Sequence, residues 1–482
     1  MWQCGGMGGG GLGTLGAAVP GAQERKADGR DARRRVSRRS HGQWEPSPDR
    51  PDPLDILQAQ AATRDPVLVP VRYGRMLASP FAFFRGGPAI MANDLAGTPS
   101  SGITVQVCGD AHLVNFGLFG TPERDLVFDV NDFDETLPGP WEWDMKRLAT
   151  SVVVAARQNG FTLKQQRQAA RDTVREYREA MITFAELATL DLWYLHLSSA
   201  QLIDFIGRLE TEFGTTAPKL TPARLDKVFA RAKSHDNLRA FAKLCVRSGA
   251  GVQLASHPPL LVPIRELFTA ADADRITAGI REAVDDYRHT LTDDRRALFD
   301  QFEIVDMARK VVGVGSVGTR CYVVLLRGKG GHDVLFLQVK QAEASVLEPH
   351  VAASEFPQHG RRVVAGQRLL QSLPDIFLGW TTGPRGYDYY VRQLWDMKGS
   401  IDPAKLTPGG LGVYGGMCGW TLARAHGRGG DEIAIAGYLG KSEVFDEAIA
   451  DFALTYADIN ARDHNRLAVA VDAGTIPTIR ET

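Results

Sequence analysis

Cysteine is scarce and scattered in this 482-residue sequence, at Cys4, Cys108, Cys245, Cys321 and Cys418. Five is odd, and no two form a CxxC pair, which argues against a disulfide framework and a thiolate zinc site. That scarcity fits a reducing, cytoplasmic setting. No apolar run approaches the roughly 18 residues of a spanning helix, so no membrane partner is expected. Met1–Gly21 lacks a basic opening and a Leu- or Val-rich stretch, and reads as a poor secretory signal. An excess of one charge is also missing. Lys and Arg number 56 against 57 Asp and Glu, a net charge of −1, so no nucleic-acid partner is expected for the whole chain. No internal repeat is evident.

What is present suits a globular protein: 44% hydrophobic and 23% charged residues, in a chain long enough for two lobes around a cleft. Residues 1–52 read as a disordered Gly- and Arg-rich tail, with five arginines within Arg33–Arg39 and prolines at 46, 48, 51 and 53. Residues 53–304 read as a mainly helical lobe. Within it Ile103–Val107, Asn115–Phe119 and Leu126–Val130 are predicted strands, and a helix starts near Pro140 and stops at Asn159-Gly160. Phe161 to about Phe302 is expected to be largely helical. Residues 305–398 form a β-rich lobe with strands at Lys310–Val314, Arg320–Arg327, Asp333–Lys340, Ile376–Trp380 and Tyr387–Leu394. A helix is expected at Gly360–Leu373. Residues 399–482 are predicted helices that pack on the first lobe.

The chemistry concentrates in a few places. Cys108-Gly109-Asp110-Ala111-His112-Leu113-Val114-Asn115 puts a carboxylate and a carboxamide five residues apart on one loop. Phosphoryl transfer needs that pair: Asp110 to orient and deprotonate a hydroxyl, Asn115 to help hold Mg²⁺. The next hairpin ends in Asp129-Val130-Asn131-Asp132-Phe133-Asp134-Glu135, acids crowded enough to call for a cation. Asp132 is the first choice of metal ligand, with Asp129 competing and Asp134 a further candidate. Gly313-Val314-Gly315-Ser316-Val317-Gly318 is a GxGxxG followed by a strand rather than a helix. That order excludes a dinucleotide fold and suits a hairpin over nucleotide phosphates. No Gly-Lys-Ser/Thr follows these glycines, which excludes a Walker A loop. Lys340, at the end of the next strand, can reach phosphates, with Glu343, Glu348 or Glu355 as its partner. Arg72, Arg75 and Arg85 flank Ser79–Phe84, either for substrate anions or as structural ion pairs.

These residues resemble two groups of proteins. Arg72–Met76, Ser79–Gly86, Cys108–Gly117, Asn131–Thr136, Pro140–Leu148 and Gly366–Gln371 resemble a bacterial family called domain of unknown function 2252, which has no assigned activity. More distantly, the site resembles aminoglycoside and choline phosphotransferases of the protein-kinase-like fold, where a His-Gly-Asp-x-His-x-x-Asn loop precedes an Asp-Phe-Asp segment. Cys108 stands for the leading His. The resemblance implies that Asp110 is the base, that Asn115 and Asp132 bind metal, and that Asp144 braces the loop, with His112 in support. Gly313, Gly315, Gly318 and Lys340 follow the catalytic loop here, whereas in kinases they precede it. Leu422-Ala423-Arg424-Ala425-His426 looks like the Leu-Ala-x-x-His that normally leads into that loop. The implied fold is a two-lobed α+β kinase-like one in circularly permuted order.

The expected activity is therefore an ATP- and Mg²⁺-dependent transfer to a hydroxyl of a small molecule or protein. A catalytically degenerate nucleotide-binding protein is the alternative. A metallophosphoesterase ranks lower, because no Gly-Asn-His is present.

Overall fold

The computed structural model describes residues 20–212, 229–230, 237–248, 251–267, 270–330, 333–394, 397 and 399–479. Five helices open it: α1 (Ala22–Arg35), α2 (Pro53–Ala61), α3 (Val69–Leu77), α4 (Pro80–Gly86) and α5 (Pro88–Ala96). Each of α2–α5 has proline in its first turn, where the missing N–H loses no bond.

Residues 20–52 belong to the fold, so the expected disordered tail is corrected over that stretch; residues 1–19 lie outside the described ones. α1 lies so close to the segment 432–439 that a Cβ on Gly29 would stand 2.0 Å from the Ala434 carbonyl oxygen. Arg25 pairs with Asp431 at 2.8 Å, and Arg50 bridges Asp94 and Asp463, each at 2.7 Å. The counter-charges of this basic stretch are mostly far along the chain, so local composition makes it look like a solvated arm.

β1 (Thr104–Val107) pairs with β4 (Leu137–Pro140). Between them in sequence, β2 (Phe116–Gly120) and β3 (Leu126–Val130) form an antiparallel hairpin, extended by β5 (Leu197–Ser198). α6 (Trp141–Gln158) is buried along almost its whole length, and stops at Asn159 and Gly160, whose φ is 74°. It packs on α7 (Leu163–Phe184), where the Tyr177 ring stacks on Trp141 with centroids 5.6 Å apart.

The expected helical run continues through α8 (Thr189–Tyr194), α9 (Ser199–Glu212) and, later, α10 (Ala270–His289). It is interrupted by β6 (Cys245–Ser248), β7 (Gly251–Leu254) and β8 (Leu261–Pro263). Cys245-Val246-Arg247-Ser248 shows no alternation and only Val252-Gln253-Leu254 does, so these short strands carry no period-two signal against the helix-like charge spacing around them.

β9 (Glu303–Lys310), β10 (Cys321–Arg327), β11 (Val334–Gln341), β12 (Gly379–Thr382) and β13 (Asp388–Gln393) join β8 in a six-stranded antiparallel sheet. Its order is β12-β13-β11-β10-β9-β8. The strand expected at 310–314 ends at Lys310 instead, because Val311 and Val317 leave the sheet to pack on Leu68 and Val71. Leu335 and Leu337 cover Tyr287 and Phe299 on one face of the sheet; Phe336 meets Val323 and Leu244 on the other. By strand alternation Lys340 shares the Phe336 face.

α11 (His359–Leu370) follows β11. α12 (Pro408–Gly429), α13 (Glu432–Leu439) and α14 (Val444–Asp472) then close the chain on α6 and α7. A Cβ on Gly419 of α12 would lie 2.2 Å from the Thr173 carbonyl oxygen, so only glycine allows this approach to α7. The architecture is mixed α+β with several small sheets. No described helix is long and apolar enough to cross a membrane.

Candidate functional site

β1 ends at Val107 and the chain turns sharply through Cys108, Gly109 and Asp110. Gly109 has a φ of 80°, and a Cβ there would come within 2.3 Å of the Glu135 carbonyl oxygen. Asp144, in the first turns of α6 and 1% exposed, accepts the Cys108 N–H at 2.6 Å and the Gly109 N–H at 3.0 Å. Its Oδ2 lies 3.1 Å from Nε2 of His426, whose Nδ1 is 2.8 Å from the Tyr177 hydroxyl. A buried hydrogen-bonded chain from α7 through α12 and α6 thus holds the turn that carries Asp110.

Asp110 accepts from Arg147 Nε. Arg147 is itself fixed: its guanidinium lies 4.4 Å from the Phe84 ring centroid and donates to the Phe84 carbonyl oxygen at 3.0 Å. Burial pushes the Asp110 carboxyl up to about 6; Arg147 pulls against that rise, and Asp132 adds to it. The group is therefore mostly ionised at neutral pH. His112 Nε2 stands 3.8 Å from Asp110 Oδ2, and burial, with Arg85 and Arg147 nearby, keeps the ring neutral. Asn115 Nδ2 donates to the Asp110 carbonyl oxygen at 2.7 Å, which leaves the carboxamide oxygen as its ligand atom.

β3 leads into the acidic segment, where Phe133, 1% exposed, anchors the chain between Asp132 and Asp134. Lys340 Nζ donates to Asp132 Oδ1 at 3.2 Å and is ion-paired with Asp134. Asp134 also accepts the Tyr390 hydroxyl at 2.6 Å. Burial opposes the Lys340 charge, but the two carboxylates outweigh it and hold the ammonium protonated. Of the three acids considered as its partner, Glu343 accepts instead from Gln341 and Glu348 from the Ser345 N–H, and Glu355 makes no pair with it.

Asp129 lies elsewhere. It is 1% exposed, accepts from Arg424 at 2.6 Å and from the Ser372 N–H and hydroxyl at 2.9 and 2.8 Å, and does not line the cavity. Its place as a competing cation ligand is corrected: Oδ1 is taken by the buried Arg424 and Oδ2 by the half-buried Ser372.

The connection from β9 to β10 carries the glycines. Arg64 Nη1 donates to the carbonyls of Gly315 at 2.7 Å and Val317 at 2.5 Å, Arg75 to that of Gly313, and the Asp65 N–H to that of Gly318 at 2.8 Å. The loop is thereby tied by its carbonyls to residues 64–75. A cavity of about 510 Å³ is lined by residues 313–316 together with Asp110, His112, Asn115, Asp132 and Asp134. Gly318 sits behind, against Arg64, and does not line it.

Several participants carry no motif. Arg362 donates to the carbonyls of Asp134 and Thr136, each at 2.7 Å, and so ties the acidic segment to α11. Arg147 had one available signal, its place three residues after Asp144 on the same helix.

For a divalent cation the donors present are hard oxygens, the Asn115 carboxamide and the Asp132 carboxylate. Among the described residues no three His, Cys, Asp or Glu side chains gather into a cage. This donor set fits Mg²⁺, which takes one or two protein carboxylates and completes its shell with phosphates and water.

The model of the family described as "Uncharacterized protein conserved in bacteria (DUF2252)" matches residues 64–470. The chain belongs to this family. The matched span begins at Arg64, which holds the glycine loop, and takes in every residue of the site above. No match is found among curated proteins or among solved structures.

Proposed function

We propose that this DUF2252 protein is an ATP- and Mg²⁺-dependent phosphotransferase acting on a hydroxyl group of a small molecule or protein, with a kinase-like fold in circularly permuted order. The observation that carries this reading is the 3.2 Å approach of Lys340 Nζ to Asp132 Oδ1 across 208 positions of sequence. Asp132 lines the cavity together with Asp110 and the glycine loop, and Lys340 stands behind Asp132. Permutation is supported by His426, near the end of the chain, which sits on Asp144 below the Asp110 turn.

In this reading Asp110 accepts the proton of the acceptor hydroxyl. Arg147 holds its Oδ1, which leaves Oδ2 for the proton, and a carboxyl titrating near 6 is suited to that exchange at neutral pH. Lys340 and the backbone of residues 313–316 hold the phosphates. Asn115 and Asp132 would hold Mg²⁺, which when bound offsets phosphate charge. A catalytically silent nucleotide-binding role is the second reading, favoured by the Arg147 contact that ties up one Asp110 oxygen.

ATP is expected to raise the melting temperature only with Mg²⁺ or Mn²⁺ present. Lys340→Ala should weaken the shift, and Asp132→Asn should remove its metal dependence. Asp110→Asn should slow phosphoryl transfer or ATP hydrolysis roughly 10²–10⁴-fold with nucleotide affinity within a few-fold. An equal shift in EDTA, or hydrolysis by Asp110→Asn as fast as by the parent, refutes the assignment.

A further inference from the structure

The α2–α4 side of the same cavity carries Arg64, Arg72 and Arg85. None of the three is ion-paired with a carboxylate among the described residues. Arg64 is spent on loop carbonyls. Arg72, fully buried, donates to the Gln60 carboxamide at 2.9 Å and the Gly86 carbonyl at 3.1 Å. Arg85 has its Nε buried without a hydrogen-bond partner. The charges it feels most are Asp110 and Asp132, and these already have Arg147 and Lys340. Burial also weakens its hold on its proton, with only partial compensation from those acids. Arg85 is half-buried with its Nε shut away, and a guanidinium so placed at the cavity wall presents a planar fork that matches phosphate or carboxylate.

We propose that Arg85, backed by Arg64 and Arg72, binds a phosphate or carboxylate group of the acceptor, so that the acceptor is an anionic alcohol rather than a neutral one. The acceptor role rests on the phosphotransferase reading; anion binding at Arg85 does not.

The probes are inorganic phosphate and malonate, titrated by calorimetry at constant ionic strength, with and without Mg²⁺ and a non-hydrolysable ATP analogue. At least one probe should bind in both conditions, and Arg85→Gln should weaken it roughly 10- to 100-fold. Arg85→Lys, which keeps the charge and loses the fork, should weaken it less, and carries the test if Arg85→Gln does not fold. Without ligand, Arg85→Gln should melt no lower than the parent, because it removes a buried donor that has no partner. Binding that vanishes once the analogue is bound would assign the arginines to nucleotide phosphates and overturn the acceptor assignment. No binding of either probe, or binding indifferent to both variants, overturns the anion site itself. An analogue that fails to bind, beside Arg85-dependent phosphate binding, would remove the phosphotransferase reading and uphold the anion site.

Discussion

Asp144→Asn probes the support beneath the Asp110 turn. The carboxylate accepts two backbone N–H groups, at 2.6 and 3.0 Å, one on each oxygen. Hydrogen bonds to a charged group contribute about 1.5–3 kcal/mol each. Asparagine retains one acceptor oxygen and turns its NH₂ against the other N–H. One charge-assisted bond is lost and one buried donor is stranded, for a destabilisation of about 3 kcal/mol. The His426 contact is left out of that sum, because the imidazole can change tautomer and accept from the new amide. Urea unfolding at fixed pH measures the global effect. Amide hydrogen exchange on peptides spanning residues 104–115 measures the local one, and about 3 kcal/mol corresponds to roughly 100-fold faster exchange at Cys108 and Gly109. A change below about 0.5 kcal/mol, the usual range of an inert surface substitution, with unaltered exchange, would show that something else holds the turn.

Two further substitutions test the charges around the cavity. Burial pushes Glu135 up from 4.5 to about 7, while its Oε2 accepts the Val346 N–H at 2.8 Å. The folded state holds this proton more tightly than the unfolded chain, so ionisation removes stability as pH rises from 4.5 through 7, by up to about 3 kcal/mol. Glu135→Gln keeps the acceptor, and should unfold at higher urea than the parent at pH 8 with the gain fading toward pH 4; a gain that ignores pH would contradict this. Asp129→Asn leaves Arg424, 1% exposed, without its counter-charge and should cost about 3–5 kcal/mol by urea unfolding. A loss under about 1 kcal/mol would reopen Asp129 as something other than a structural partner.

Much of the fold nearest the site is legible locally. The β2–β3 hairpin shows as two apolar runs around Thr121-Pro122, and α6 as a three- and four-residue apolar spacing ended by Asn159-Gly160. β10 and β11 show as Val- and Leu-rich runs separated by glycine. α1 is not legible, because the acids that hold it, Asp431 and Glu432, are far along the chain. β6–β8 are short and lie among residues that mimic a helical charge pattern.

Within the candidate site, residue types and spacing single out Asp110, Asn115, Asp132, Gly313, Gly315 and Lys340, because turns, strand ends and glycine runs are encoded in near neighbours. Which acid goes where is another matter. Asp129 and Asp132 are three residues apart and chemically identical, yet one is locked to Arg424, 295 positions away, and the other meets Lys340, 208 positions away. The same holds for Arg147 on Asp110 and for Arg85, which is ion-paired with no acid among the described residues. A buried charge is stable only where a counter-charge or donor reaches it. That partner is supplied by the packing of distant helices and strands, so the assignment exists only once the chain has folded.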